Sequence, residues 1–130
     1  MKVLFIGGTG TISYNCSKLA IEKGFEVSLL NRGKSTLRKP LVGAELISAD
    51  IRQPDTVRQA LGDRHFDVIV EFVAFNPSHI EVDLDLFLGR TNQYIFISSA
   101  SAYQTPPEKL PVTEETPLDN PFWQYSRDKA

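Results

Sequence analysis

Apolar residues form a continuous run near the N-terminus and then change to a helical spacing. Val3 to Ile6 is uninterrupted apolar sequence, which is typical of a parallel strand buried on both faces. After Thr11 the spacing i, i+4, i+7 and i+8 predicts one apolar helical face, formed by Ile12, Cys16, Leu19 and Ala20. Gly24 suits a helix end, and Glu26 to Leu30 has the pattern of a second strand. The segment therefore predicts a β-α-β unit.

The rest of the chain alternates between strand-like and helix-like patterns. Three further strands are predicted, at Ala44 to Ala49, Asp67 to Phe75 and Gln93 to Ser98. Helices are predicted from Pro54 to Leu61 and from an N-cap at Ser78 to near Gly89. Proline and acidic residues from Thr105 to Pro121 predict a long ordered loop. The pattern predicts an α/β fold: a doubly wound, Rossmann-like parallel sheet of five strands in the order 3-2-1-4-5.

Composition and charge restrict the class of protein. The 130 residues are 42% hydrophobic and 23% charged, which is typical of one globular domain. Fourteen basic and 16 acidic residues leave a net charge of −2, so neither nucleic acid nor an anionic membrane is favoured as the main partner. The single Cys16, expected in the core, fits a reducing, cytoplasmic setting. His65 and His79 are isolated, and we expect no metal site.

A glycine-rich turn, "GGTG", joins the first strand to the first helix. A helix N-terminus offers free N–H groups to a phosphate, and the backbone approaches closely only where no Cβ intrudes. Gly7, Gly8 and Gly10 meet that need, and Thr11 adds a hydroxyl group. Ser13 replaces the glycine that usually packs the helix against its strand, and we expect it to weaken this packing only slightly. The turn therefore predicts a loop that binds the pyrophosphate of a dinucleotide. The alternative interpretation is an ordinary tight turn.

The end of the second strand bears on the choice of dinucleotide. NAD sites usually place a carboxylate there for the adenosine ribose, but this chain has Asn31 followed by Arg32. Arginine suits a 2′-phosphate, and Lys34, Arg38 and Lys39 add positive charge to the same loop. The pattern therefore favours NADP over NAD. Alternatively the loop is a solvated basic segment, and Asn31 binds a ribose hydroxyl.

Asp50 ends the third strand within "SADIR" and is predicted to face the crevice at the carboxyl ends of the strands, where a Rossmann-like sheet binds its ligand. Its carboxylate can accept a hydrogen bond from an adenine amino group. Alternatively it forms a surface pair with Arg52, or caps the following helix.

The motif "YSRDK" places Tyr125 and Lys129 on one helical face. A nearby ammonium group favours the tyrosine phenolate, which makes the phenol a better acid or base near neutral pH. "ISSASAY" brings Ser98, Ser99 and Ser101 to the end of the fifth strand. A serine hydroxyl there can orient a substrate hydroxyl or carbonyl group.

These motifs, with "DIR" and "PVTEETPL", occur in an order that resembles the extended short-chain dehydrogenase/reductase family, the NAD(P)-dependent sugar-nucleotide epimerases and dehydratases. The resemblance spans essentially the whole chain. It implies hydride transfer at a sugar or another secondary alcohol carbon, with Ser99, Tyr125 and Lys129 as the catalytic set. The expected cofactor contacts are Gly7, Gly10, Thr11, Ile12, Asn31, Arg32, Asp50, Ile51, Ala74 and Lys129.

Two departures resemble the atypical branch of that family, which includes reductase-like and RNA-associated proteins. Ser13 replaces the third glycine, and "FVAF" at Phe72 to Phe75 matches the family's His-x-Ala-Ala only at Ala74. A non-catalytic dinucleotide-sensing or RNA-associated module is therefore one alternative, and a purely structural α/β domain is another.

The chain stops one residue after Lys129, whereas members of that family continue into a substrate-binding region. We expect residues 1–130 to be a truncated dinucleotide-binding domain that binds its cofactor weakly and is inactive alone. The resemblance also implies a small-molecule substrate and a homodimer in the full-length protein.

Overall fold

A computed structural model describes residues 1–33 and 41–130 as a five-stranded parallel sheet with flanking helices. The strands are β1 (Lys2–Ile6), β2 (Glu26–Asn31), β3 (Ala44–Ser48), β4 (Phe66–Glu71) and β5 (Thr91–Phe96). The helices are α1 (Ser13–Glu22), α2 (Pro54–Leu61), α3 (Pro77–Phe87) and α4 (Gln124–Asp128). The strand order is β3-β2-β1-β4-β5, which confirms the predicted Rossmann-like topology.

The sheet is covered on both faces, as continuous apolar strands require. On one face Leu4 and Ile6 of β1 belong to a core that also contains Val57 of α2 and Leu86 of α3. On the other face the alternate β1 residues pack with Ala20 of α1. Because the strands between these two layers are all parallel, their carboxyl ends lie together at one end of the sheet.

The predicted apolar face of α1 is wrong. Ile12 and Leu19 are exposed, and so is Cys16, which was expected in the core. The buried residues of the helix are Ser13, Ser17 and Ala20. Small side chains face the sheet because α1 lies very close to it, and the Ser17 hydroxyl donates to the Gly8 carbonyl at 3.2 Å.

Strand β4 and helix α3 begin and end differently from the sequence prediction. β4 ends at Glu71 rather than Phe75, because the Glu71 carboxyl accepts the N–H groups of Val73 and Ala74 and turns the chain. The N-cap of α3 is Asn76 rather than Ser78, since Asn76 Oδ1 accepts the His79 N–H at 3.1 Å.

After β5 the chain makes a short 3₁₀ turn at Ala100–Ala102 and then runs without regular structure to α4, as predicted for Thr105 to Pro121. α4 packs against the turn through Ser126, whose hydroxyl donates to Ser101 Oγ at 3.0 Å. Among the described residues no helix has both the length and the apolar character needed to span a bilayer.

Candidate dinucleotide-binding site

A cleft of ≈ 440 Å³ opens at the carboxyl ends of β1 to β4. Six of the predicted cofactor residues line it: Gly7, Gly10, Asn31, Arg32, Asp50 and Ile51. These residues follow three different strands, and the strand order β3-β2-β1 brings them together. Arg52, Val73 and Phe75 complete the wall on the β4 side.

The three glycines of the loop have different structural roles. Gly7 has a φ of +79°, and a Cβ there would lie 2.5 Å from Val73 Cγ1. A Cβ at Gly8 would lie 2.6 Å from Leu29 Cδ2. Contacts within the protein therefore require glycine at both positions. Gly10 is less crowded: an added Cβ would lie 3.1 Å from Ser13 Oγ and 3.8 Å from the Gly7 carbonyl oxygen, a tight contact that a small shift of the serine can relieve.

Ser13 stabilises the loop rather than merely replacing a glycine. Its side chain is buried, and its hydroxyl donates to the Gly7 carbonyl at 2.7 Å and accepts from the Gly10 N–H at 2.9 Å. The expectation of slightly weakened packing omitted these two hydrogen bonds, which close the turn on itself.

The start of α1 presents unpartnered N–H groups beside Gly10. No side chain caps the helix, whose N-cap is Ile12. Among the described residues, the Thr11 and Ile12 amide groups have no hydrogen-bond acceptor. Thr11 and Ile12 thus lie next to the cleft, although their side chains do not line it. A bare loop with free amides and no Cβ at Gly10 fits a pyrophosphate group.

Asn31 and Arg32 end β2 at the rim of the cleft. Asn31 Oδ1 accepts the Gly33 N–H at 2.8 Å, which leaves its NH₂ group available as a donor. Arg32 is exposed and pairs with no residue in the described part of the chain. Lys34, Arg38 and Lys39, predicted to extend this positive charge, lie outside the described residues.

Asp50 adopts neither alternative arrangement suggested by the sequence. Its Oδ1 accepts the backbone N–H of Arg52 at 3.0 Å rather than pairing with the guanidinium group. It does not cap α2 either, whose N-cap is Gln53. The turn at Asp50 leaves Oδ2 as an acceptor at the cleft, beside buried Ile51.

The segment after β4 places Ala74 differently from its expected role. Ala74 is fully buried and does not line the cleft, whereas its neighbours Val73 and Phe75 do. Its N–H donates to Glu71 Oε1 at 2.8 Å. Ala74 therefore supports the wall from behind.

The predicted catalytic side chains lie around the end of β5. Ser99 Oγ and Ser101 Oγ are 2.8 Å apart. Tyr125 is half-buried, and its ring lies 4.8 Å from the Trp123 ring and 6.4 Å from the Phe75 ring. Phe75 thus connects the tyrosine to the cleft. No hydrogen bond joins Ser99 to Tyr125 in the described chain.

Lys129 is turned inward toward β5. Its side chain is buried, and Nζ donates to the Ile97 carbonyl at 2.8 Å and lies 4.4 Å from the Phe96 ring centroid. The distance from Nζ to the Tyr125 ring centroid is 5.9 Å. Burial lowers the pKa of Lys129, and the nearby Glu71 carboxyl opposes this change.

Sequence reasoning missed a buried polar group behind the cleft. Arg52 Nη2 donates to the Val73 carbonyl at 2.5 Å, while Glu71 holds the N–H of the same residue. Glu71 itself is fully buried, together with Asp83 of α3. An acidic residue inside the apolar run "DVIVEFVAF" was the available signal. In residues 1–33 and 41–130, no cluster of three potential metal ligands occurs.

Comparison with known proteins finds one family match and relatives of more than one kind. Residues 3–87 match the model of the NAD dependent epimerase/dehydratase family. A UDP-glucose 4-epimerase from Lactobacillus helveticus is 29% identical over 146 residues, covering 99% of this chain and 44% of that protein. The chloroplast stem-loop binding protein of 41 kDa b from Arabidopsis thaliana is 30% identical over 130 residues, covering 91% of this chain and 34% of that protein.

Solved structures show the same fold. The UDP-glucose 4-epimerase of Bifidobacterium longum, in complex with NAD⁺ and UDP, aligns with a TM-score of 0.83 at 22% identity, covering 99% of this chain and 46% of that chain. The Brucella ovis enzyme in complex with NAD aligns with a TM-score of 0.82 at 22% identity, covering 98% and 44%. The chain thus spans less than half the length of these relatives. With its family-model match over residues 3–87, the chain belongs to the NAD dependent epimerase/dehydratase family.

Proposed function

We propose that this chain is the dinucleotide-binding portion of an NAD(P)-dependent epimerase, dehydratase or reductase. The observation that carries the proposal is the convergence of Gly10, Asn31 and Asp50 on one cleft at the carboxyl ends of the strands. The Thr11 and Ile12 amides would hold the pyrophosphate beside Gly10, which lines the cleft without a side chain. Asn31 would donate to a ribose hydroxyl, and Asp50 Oδ2 would accept from the adenine amino group.

The side chains near β5 would transfer the proton of the substrate hydroxyl and orient the substrate. When bound, the nicotinamide ring supplies the acceptor or donor of a hydride. Tyr125 would give or take the proton of the substrate hydroxyl, and Ser99 would orient that oxygen. Lys129 would bind the nicotinamide ribose and favour the Tyr125 phenolate. In this structure Lys129 Nζ donates to the Ile97 carbonyl. Lys129 would bind the nicotinamide ribose either while it keeps this hydrogen bond or after it breaks it.

For the substrate we propose a sugar nucleotide or a related secondary alcohol or ketone. The support is the family membership and the relatives described as UDP-glucose 4-epimerases. We further propose that the 130-residue chain is inactive alone, since it spans 44% of the Lactobacillus helveticus relative. The complete protein would be a cytoplasmic homodimer.

Arg32 is proposed to favour NADP⁺ over NAD⁺. It is exposed at the end of β2, immediately after Asn31, where a 2′-phosphate on the adenosine ribose would meet its guanidinium group. No carboxylate stands at this position to repel the phosphate.

Calorimetric titration of the chain with NADP⁺ and NAD⁺ tests both parts of the proposal. We expect saturable binding of both, with NADP⁺ tighter, and an Arg32→Ala variant that loses about tenfold for NADP⁺ only. A matched Arg58→Ala variant, on the exposed face of α2, should bind both as the wild type does. Absence of binding to either dinucleotide would contradict the cofactor assignment. Equal effects of Arg32→Ala on both would contradict its selectivity.

A second candidate function is RNA association. It is favoured by one observation, the 30% identity to a chloroplast stem-loop binding protein over 91% of this chain. A gel-shift titration with a labelled stem-loop RNA tests this alternative. Tight, saturable RNA binding that NADP⁺ does not displace would support it, whereas no shift at micromolar protein would exclude it. The net charge of −2 leads us to expect no shift.

A further inference from the structure

Two acidic side chains lie completely buried behind the cleft. Glu71 ends β4 and Asp83 belongs to α3, and neither exposes any surface. One oxygen of each carboxyl group, Glu71 Oε2 and Asp83 Oδ1, is buried without a hydrogen-bond partner among the described groups, and the two groups interact electrostatically. Two ionised carboxylates would repel strongly in this apolar setting, so the pair must hold a proton.

The hydrogen bonds around the pair leave one oxygen of each carboxyl group for this proton. Glu71 Oε1 accepts the N–H groups of Val73 and Ala74, as a carbonyl oxygen does. Asp83 Oδ2 accepts the Tyr94 hydroxyl at 2.8 Å. The remaining oxygens, Glu71 Oε2 and Asp83 Oδ1, receive no hydrogen from any other described group. A single proton held between Glu71 Oε2 and Asp83 Oδ1 satisfies both.

The electrostatic surroundings favour Glu71 as the protonated partner. Burial, followed by the charge of Asp83, raises the pKa of Glu71 to about 8. Burial raises the pKa of Asp83 as well, but hydrogen bonds from Tyr94 and Glu71 oppose the rise, so Asp83 is the partner that carries the charge. The charged and titratable groups that face the pair are Arg52, His79, Tyr94 and Lys129.

Glu71 fixes the residue that forms the wall of the cleft. The N–H of Val73 donates to Glu71, and the carbonyl of Val73 accepts from Arg52 Nη2 at 2.5 Å. The Val73 side chain packs on Gly7, where an added Cβ would lie 2.5 Å from Cγ1. The position of the Val73 peptide thus determines the width of the cleft beside the glycine loop.

We propose that Glu71 is a positioning residue. As a neutral acid that shares a proton with Asp83, it holds the Val73 peptide in place beside the glycine loop. This position of Val73 keeps the cleft wide enough for a dinucleotide. The proposal rests on the proposed function for its ligand. Ionisation of Glu71 would place two negative charges in the same buried space. Their repulsion separates Glu71 from Asp83, and the Val73 wall loses its hydrogen-bonded support.

A Glu71→Gln variant reproduces the neutral acid at every pH. The amide oxygen accepts the Val73 and Ala74 N–H groups, and the amide NH₂ donates to Asp83. An Asp83→Asn variant removes the charge that raises the pKa of Glu71, so Glu71 ionises at lower pH. His79 and Lys129 titrate in all three proteins and are influenced by Asp83 and Glu71 respectively, so the infrared band of the carboxyl group is what identifies Glu71.

The experiment combines infrared spectroscopy with NAD⁺ titration calorimetry between about pH 6.5 and 9.5. We expect a protonated-carboxyl band at neutral pH in the wild type that Glu71→Gln lacks. The wild-type affinity for NAD⁺ should fall about tenfold over this range, while that of Glu71→Gln changes less than about twofold. The fall should move to lower pH in Asp83→Asn. Circular dichroism at each pH shows that the chains remain folded.

The contrary results are distinct. Absence of the Glu71 band would overturn the shared proton, whatever the affinity for NAD⁺. An equally steep fall in affinity for Glu71→Gln would overturn the positioning role. If no protein bound NAD⁺ at any pH, the proposed function and the positioning role would both fail, while the infrared band would still decide the shared proton.

Discussion

Substitution of Gly10 by alanine separates a phosphate-binding loop from an ordinary turn. The φ of Gly10 is not positive, and an added Cβ would meet Ser13 Oγ at 3.1 Å and the Gly7 carbonyl oxygen at 3.8 Å, so a small shift of the serine accommodates it. We therefore expect Gly10→Ala to change the free energy of unfolding by less than about 1 kcal/mol. Gly10 lines the cleft, however, and a methyl group there would hinder close approach of a phosphate to the backbone, so we expect the affinity for NAD⁺ to fall at least about tenfold.

Gly7→Ala is the matched control, because there the protein itself excludes a side chain. The φ of +79° costs a non-glycine residue about 1–2 kcal/mol, and the Val73 clash adds about 1–3 kcal/mol. Together these terms predict a loss of about 2–5 kcal/mol, which lowers the melting temperature by roughly 8–20 °C.

Thermal unfolding and NAD⁺ calorimetry on the same samples test both variants. Gly10→Ala should melt close to the wild type and bind poorly, whereas Gly7→Ala should melt much earlier. Wild-type affinity in a well-folded Gly10→Ala chain would refute the reasoning, since it would show that no ligand approaches the backbone at this point.

Three further predictions concern stability and exposure. Ser13→Ala removes the hydrogen bonds to Gly7 and Gly10, and chemical denaturation should show a loss of about 1–3 kcal/mol; no loss would mean that the loop closes without them. Cys16→Ser should change stability by less than about 0.5 kcal/mol, and the thiol should react with a maleimide in the folded chain; slow labelling would contradict its exposure. Because the folded-state pKa of Glu71 is raised from 4.5 to about 8, its stabilising contribution is complete below pH 4.5 and is lost as the pH rises through 8. Denaturation midpoints should therefore decrease as the pH rises from 6.5 to 8, and comparison with Glu71→Gln separates this loss from the titration of His79. A profile that Glu71→Gln leaves equally steep would contradict this prediction.

The sheet was predictable because its signals are local. Four consecutive apolar residues at Val3 to Ile6 can be buried only between two layers, and the change to helical spacing after the glycines predicts the crossover. The orientation of α1 was not predictable from hydrophobicity. Its close contact with the sheet selects the small residues Ser13, Ser17 and Ala20 for burial and leaves larger apolar ones in solvent.

Part of the candidate site was equally predictable. Asn31 and Asp50 each follow a strand, and the topology alone brings strand ends to one edge. The support behind the cleft was not, because it depends on contacts distant in sequence. Arg52 reaches the Val73 carbonyl across 21 residues, and Glu71 meets Asp83 only when α3 packs on β4. No spacing rule in the sequence links these positions.

The most direct test of the dinucleotide-binding assignment is an NMR titration of the ¹⁵N-labelled chain with NAD⁺. The account predicts saturable shifts of the Gly10, Thr11 and Ile12 amides, with smaller changes at Asn31 and Asp50. The amide resonances of Lys2 and Glu26, at the amino-terminal ends of β1 and β2, should not shift. The account would be contradicted if the amide resonances at the start of α1 did not shift, or if only those at the amino-terminal ends of the strands did.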